Sequence, residues 1–231
     1  MKIAAAALAL MLLSGCGALG GSVSAPPTVY SLADALDTAP LPAPRPAAAV
    51  LTLTVSPPQA AAGFDSPRMM YLRHADQLEY FAHNEWIDTP ARMLAPLIVA
   101  AVESGGAFRA VVQTSSAAAG DLRLDTEILR LQQDFMVAPS QVRFTLRAYL
   151  VDSKTRGVIA TRELEAVVPA ASENPQGGVV AAGSAVRAVL AKLAAFCAEA
   201  ARGIATAGGP RPGPSTPLSA GKTGGVPISR E

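Results

Sequence analysis

The stretch from Gln141 to Val168 leaves this chain few choices of fold. Val142, Phe144, Leu146, Ala148 and Leu150 alternate with Arg143, Thr145, Arg147 and Tyr149. A period of two puts the first set on one face of a strand and the second set on the other. Asp152 to Gly157 is polar and ends in glycine, the composition of a hairpin loop, and Val158 to Val168 makes the return strand. One antiparallel register satisfies both faces. It sets Leu146 opposite Leu164, Phe144 opposite Ala166 and, outside, Arg147 opposite Glu163. That register also turns Arg162 toward the apolar side, where the sequence offers it no partner. A ribbon with one apolar face must bury that face against another layer.

Two helical stretches supply the layer. Asp88-Thr89-Pro90 is a helix start: Asp88 or Thr89 can cap, and proline is tolerated in the first turn. Met93, Leu94, Leu97, Ile98, Ala101 and Val102 then recur at helical spacing, and Gly105-Gly106 ends the run. Pro96 inside it is expected to kink the helix or delay its regular start. Asn174 to Gly178 leads into a second helix, whose buried stripe is Val179, Val186, Val189, Leu190, Leu193, Phe196 and Cys197, and which is expected to end near Arg202-Gly203. Helices amid an antiparallel meander predict an α+β domain: a mostly antiparallel sheet with two helices packed on one face.

The remaining strands are shorter or less regular. Thr28 to Leu32 is β-prone. Asp34 to Pro46 carries prolines at 40, 42, 44 and 46, which cannot pair in a sheet and favour an extended, exposed crossing. Leu51, Leu53 and Val55 alternate with Thr52 and Thr54 until Pro57-Pro58 stops them. Pro67 to His74 and Gln77 to His83 form a hairpin around Ala75-Asp76, and Phe108 to Gln113 is another strand. Asp121 to Phe135 is a long one whose apolar parity switches near Ile128, the mark of a bulge. The hairpin region gathers Met69, Met70, Tyr71, Tyr80, Phe81 and Trp86 in a chain only 5% aromatic. These side chains fit either core and hairpin packing or a partner-binding surface, because Tyr, Trp and Met are favoured at interfaces. Tyr71, Tyr80, Phe81 and Trp86 are the candidate contact residues.

The N-terminus reads as an address. Lys2 gives a positive start, Ile3 to Leu13 is uncharged and apolar, and Ser14-Gly15 is the small pair before a cysteine. A secretory leader fits this better than a membrane span, which needs about 20 apolar residues. Leu13-Ser14-Gly15-Cys16 is a lipobox, so residues 1–15 are expected to be a lipoprotein signal peptide and Cys16 the acylated residue. Residues 16–27 are then a small-residue tether, 28–203 the folded domain and 204–231 a disordered tail rich in Gly, Pro, Ser and Thr. With no Asp after Cys16, general sorting rules favour the outer membrane. The full chain carries a net charge of +1, and loss of Lys2 takes it near zero, which argues against nucleic acid as a partner. Cys197 would be the one remaining thiol, with no partner for an internal disulfide, and reads as a small buried hydrophobe.

No catalytic, cofactor or metal motif stands up. Gly221-Lys222-Thr223 mimics the end of a phosphate loop, but Thr216 occupies the place of its first glycine and no strand precedes it. Ser219 and Lys222 have the spacing of some acyl-enzymes in a tail that would not hold them rigidly. Asp121, Arg123, Asp125 and Glu127 share one strand face, which reads as a solvated outer face because an arginine sits among the carboxylates. His74 and His83 have no ligand partner at a standard spacing.

The lipobox, the Tyr30-Ser31-Leu32 strand before a proline-rich crossing, the aromatic hairpin running into Trp86, the helix closed by Gly105-Gly106-Ala107-Phe108, the long meander and the last helix occur here in one order. Over roughly residues 28 to 202 the chain resembles the ABC-type transport auxiliary lipoproteins, the PqiC/YmbA-like group. The resemblance implies a non-enzymatic outer-membrane lipoprotein facing the periplasm. Its implied partners are an MCE-type substrate-binding protein, an ABC permease and its ATPase, which together move lipids or other hydrophobic compounds between the membranes. Cys16 is the one functional residue it carries over, and self-association into a ring would suit a conduit terminus. A periplasmic lipid-binding carrier and an outer-membrane assembly lipoprotein remain the alternatives.

Overall fold

A computed structural model describes residues 26–33, 49–114 and 120–207. The leader, Cys16, the proline-rich crossing from Asp34 to Pro46 and the tail beyond Ala207 lie outside the described residues. The elements run β1 (Thr28–Tyr30), β2 (Thr52–Val55), β3 (Gln59–Ala60), β4 (Arg68–His74), β5 (Gln77–Trp86), α1 (Pro90–Ser104), β6 (Ala110–Gln113), β7 (Leu122–Asp134), β8 (Gln141–Asp152), β9 (Val158–Pro169) and α2 (Pro175–Ala207).

The strands make one sheet with β7 as its trunk. Along one side β7 pairs antiparallel with β8 over its whole length, and β8 with β9. Its other side is shared. The first part takes β2 in parallel with β6 beyond it, the middle takes β3, and the last part takes β4, followed by β5 and β1. The long antiparallel ladders supply most of the pairing. The parallel joins of β2, β3 and β4 to β7 were not legible beforehand, because a parallel partner is set by chain crossovers rather than by local pattern. Pro57-Pro58 sits at the break between β2 and β3, where the five residues from Val55 to Gln59 run beside four of β7, Leu124 to Glu127.

The register expected for the principal hairpin is the one observed: Leu146 faces Leu164, Phe144 faces Ala166 and Arg147 faces Glu163. The bulge in β7 falls between Ile128 and Arg130. Arg162, which had no account, lies on the helix side where α2 nears its end. Its guanidinium reaches Glu199 at 3.0 Å and covers the Phe196 ring at 4.9 Å.

Both helices lie on the apolar face, side by side. α1 packs over β6, β3 and β7, and α2 over β8, β9 and β7. Thr89 caps α1 by accepting from Arg92 N, while Asp88 pairs with Arg92 at 3.2 Å. The helix therefore starts at Pro90 and runs through Pro96 without the expected delay. Its stop is Gly106, which takes the left-handed conformation at φ 66° that a side chain would resist. α2 differs at both ends. Asn174 caps it by accepting from Gly177 N at 2.9 Å, so Gly177 and Gly178 belong to its first turn, and it extends to Ala207. A side chain at Gly178 would collide with Gln133 of β7, so the bare glycine lets helix and sheet meet. Pro175–Ile204 is long and apolar enough to cross a membrane by composition alone. Its stripe of Val186, Val189, Leu190, Leu193, Phe196 and Cys197 is instead buried in the core with Leu94, Ile98, Leu124, Phe144 and Leu146.

Candidate functional site

The opposite face of β7–β9 is polar. Arg123 pairs with Asp125 at 2.9 Å, Arg147 bridges Glu127 and Glu163, and Arg143 holds Glu165 at 2.8 Å. Burial alone would raise the Glu165 carboxyl; bonds from Thr145 and Arg143 outweigh it and hold the group below its ordinary range. Asp121 turns to the chain and accepts from Thr52 N at 2.9 Å. The strand face carrying Asp121, Arg123, Asp125 and Glu127 is thus spent on ion pairs and a backbone bond. No group of three or more His, Cys, Asp or Glu poised for a metal occurs among the described residues.

Cys197 is fully buried, and burial pushes its thiol up to about 12. A thiol so protonated and shielded is a poor nucleophile. A thiol-specific reagent is therefore expected to leave Cys197 unmodified in the folded protein and to modify it once denaturant is added. Stoichiometric labelling of the folded protein at Cys197, mapped by peptide mass, would contradict this packing.

The aromatic hairpin does not present its four candidate residues as one surface. Tyr71 and Phe81 share the helix side of the sheet, with ring centroids 4.5 Å apart, and Phe81 borders a small cavity that Gly178 and Ala182 of α2 also line. Phe135, at the end of β7, stands edge-on to both, at 5.8 and 6.3 Å. The Tyr71 hydroxyl donates to Glu79 at 2.9 Å, and burial together with that bond holds the phenol above its ordinary value. Trp86, only 5% exposed, is a core residue. It lines a cavity of about 20 Å³ with Met69, Phe81, Leu131 and Val142. Tyr80 falls on the other face, opposite Met70, and is 48% exposed beneath the Arg68 guanidinium at 4.3 Å. Strand alternation separates Tyr80 from Phe81.

Three further apolar side chains were missed. Leu78 stands exposed near Tyr80, packed beside Gly63, and Met136 and Val137 stand exposed in the β7–β8 connection. That connection is tied to the hairpin, because Phe135 N donates to Leu72 O at 2.8 Å. The signal was there to read: Phe135-Met136-Val137 is an apolar run where a strand connection is normally polar. Leu78 and Tyr80, on the hairpin face away from Tyr71 and Phe81, and Met136 and Val137, in the neighbouring β7–β8 connection, thus leave an apolar rim exposed at the hairpin end of the sheet.

The cavities say what else the domain can hold. A second apolar hollow, about 80 Å³, lies between α1 and the end of β2, lined by Val55, Pro57, Ala95 and Val99. Two larger hollows are open clefts. One of about 780 Å³ is lined by Ser56, Gln59, Arg123, Asp125, Glu127 and Tyr149. One of about 520 Å³ lies between the start of β9 and the end of α2.

Comparison with known proteins places this geometry. No curated protein matches the sequence. Among solved structures, protein XCC0632 from Xanthomonas campestris, of the DUF330 family, aligns with a TM-score of 0.65 at 23% identity, over 78% of this chain and 97% of that one. An uncharacterized protein aligns at 0.55 and 14% identity, over 75% and 97% of the two chains. The PelC dodecamer from Paraburkholderia phytofirmans aligns at 0.40 and 12% identity, over 64% and 92%. The first two share the fold. The family model of the ABC-type transport auxiliary lipoprotein component matches residues 30–194, from β1 into α2, and the chain belongs to that family.

Proposed function

We propose that this chain is anchored to the outer membrane through acylated Cys16, faces the periplasm, and docks the outer end of an MCE-type ABC transport system that moves lipids or other hydrophobic compounds between the membranes. Membership in a lipoprotein family that serves ABC transporters, and is not a known enzyme family, supports an accessory role rather than a catalytic one. The observation that carries docking is the exposed apolar rim of Leu78, Tyr80, Met136 and Val137. Exposed apolar side chains gathered at one end of a domain mark interaction sites. Of the four candidate contacts, Tyr80 is the one that offers its ring to a partner; Tyr71 and Phe81 lie on the other face of the hairpin.

Carriage of lipid by the domain is the weaker reading. Pockets for molecules of that size run to about 300–1,000 Å³ and are mostly apolar. Two apolar cavities, about 20 and 80 Å³, are far smaller, the cleft of about 780 Å³ is lined by charge, and the cleft of about 520 Å³ is an open surface hollow that carries Arg162 and Glu199 beside its apolar side chains.

The test is affinity capture of the full-length lipoprotein from detergent-solubilised envelopes, with the captured proteins identified by mass. An MCE-type protein and its permease are expected to come with the parent chain, and about tenfold less with Tyr80→Ala combined with Val137→Asp, two exposed positions whose change should barely alter stability. Capture of a barrel protein instead, or of lipid with no protein partner, would replace docking by one of its rivals.

A further inference from the structure

We propose that the outer edge of β9 pairs with the same edge of a second copy, giving a two-fold dimer in which the sheet runs through both chains and the two α2 helices meet above the join. Among the described residues β9 bonds to β8 on one side and to no strand on the other. Ala170 N donates to Ser140 O, next to β8. By alternation, the main-chain groups of Thr161, Glu163, Glu165 and Val167 point away from β8. Glu165 O fits that direction: it accepts the Lys192 ammonium at 2.6 Å in place of a strand donor, and keeps a second lone pair. An outward edge of this length is a template for another strand.

The residues of β9 are nearly symmetrical about Glu163. An antiparallel pairing centred there sets Thr161 against Glu165 of the second copy and Ala160 against Ala166. It brings Ile159 beside Val167 and Val158 beside Val168. Val158, Ile159 and Val167 are exposed large hydrophobics in the single chain. Neighbouring registers lose this match: centring on Arg162 stacks two arginines, and centring on Leu164 sets Glu163 against Glu165. The two Glu163 carboxylates at the axis are each held by Arg147 at 3.2 Å.

α2 carries the second half of the match. Its edge side bears Ala188, Lys192, Ala195 and Glu199, with Lys192 over Glu165 and Glu199 over Arg162. A two-fold axis through Glu163 passes between those contacts, so it brings Lys192 of each copy to Glu199 of the other. With strands about 4.8 Å apart, helices seated over β8 and β9 in each copy come to about 8–10 Å, ordinary helix-packing distance, which Ala188 and Ala195 permit. The cleft lined by Ile159, Phe196 and Ile204 lies on the helix face, where Val168 of the second copy arrives. This edge is across β7 from Leu78 and Tyr80, so the dimer leaves the Tyr80 part of the docking rim free.

Cysteine coupling on the full chain in detergent tests it. Under mild oxidation Glu163→Cys, alone on the axis, is expected to give a disulfide-linked dimer. Thr161→Cys alone is not, whereas Thr161→Cys mixed with Glu165→Cys is. Lys192→Glu is expected to weaken the dimer about tenfold by sedimentation while leaving Tyr80-dependent capture intact. A monomer at every reachable concentration, or a dimer that couples through Thr161→Cys alone, overturns the proposal.

Discussion

Trp86→Ala is expected to lower the unfolding free energy by about 3–5 kcal/mol, read from urea denaturation followed by circular dichroism. The indole closes β5 inside the main core and touches a cavity of about 20 Å³. Truncating it removes the dispersion contacts of a large ring and merges its space with a void that already exists, so the surroundings have little room to collapse onto the gap. A domain of this size has about 5–15 kcal/mol in total, so the loss is a large share of it. Tyr80→Ala, six residues away on the other face, is expected to cost no more than about 1 kcal/mol, chiefly its contact with Arg68. The pair separates packing from recognition within one strand. A Trp86→Ala protein as stable as its parent would mean that the ring is not packed as described and would return it to the surface candidates.

Cys16→Ser is expected to move the protein from the membrane pellet to the soluble fraction of the cell envelope. The proposed anchoring rests on the acyl chains that the Cys16 thiol begins, and each buried methylene contributes about 0.8 kcal/mol. One chain binds marginally and several bind firmly, so losing all of them changes partition by orders of magnitude. The fold should be untouched, because β1 begins at Thr28, well after the cysteine. Fractionation and an immunoblot decide it. A Cys16→Ser protein that stays in the pellet after a salt wash would place the anchor elsewhere, with α2 the first suspect for its apolar length.

What the chain determined by itself was whatever depends on local period and punctuation. Alternation from Val142 to Leu150 and back through Leu164 set a register that the tertiary structure reproduces, because a slip by one residue would bury Arg143 and Arg147 and expose Phe144 and Leu146. The parity switch marked the β7 bulge, and the Thr89-Pro90 start and the Gly105-Gly106 stop bounded α1. The candidate surface was legible only in part. Sequence proximity grouped Tyr71, Tyr80, Phe81 and Trp86, but a strand sends neighbours to opposite faces, and the hairpin's bulges, at Arg68/Met70 and Leu72/His74, reset which face each one meets.

Only the tertiary structure decided which of those faces stays open. Trp86 is covered because core side chains from distant parts of the chain close over it, and Tyr80 is open because it stands on the face away from the helices. The parallel seating of β2, β3 and β4 along β7, the pairing of Arg162 with Glu199, and the reach of Lys192 to the β9 edge all join residues far apart in sequence. Such contacts are fixed by how layers pack once formed, and no local pattern along the chain encodes them.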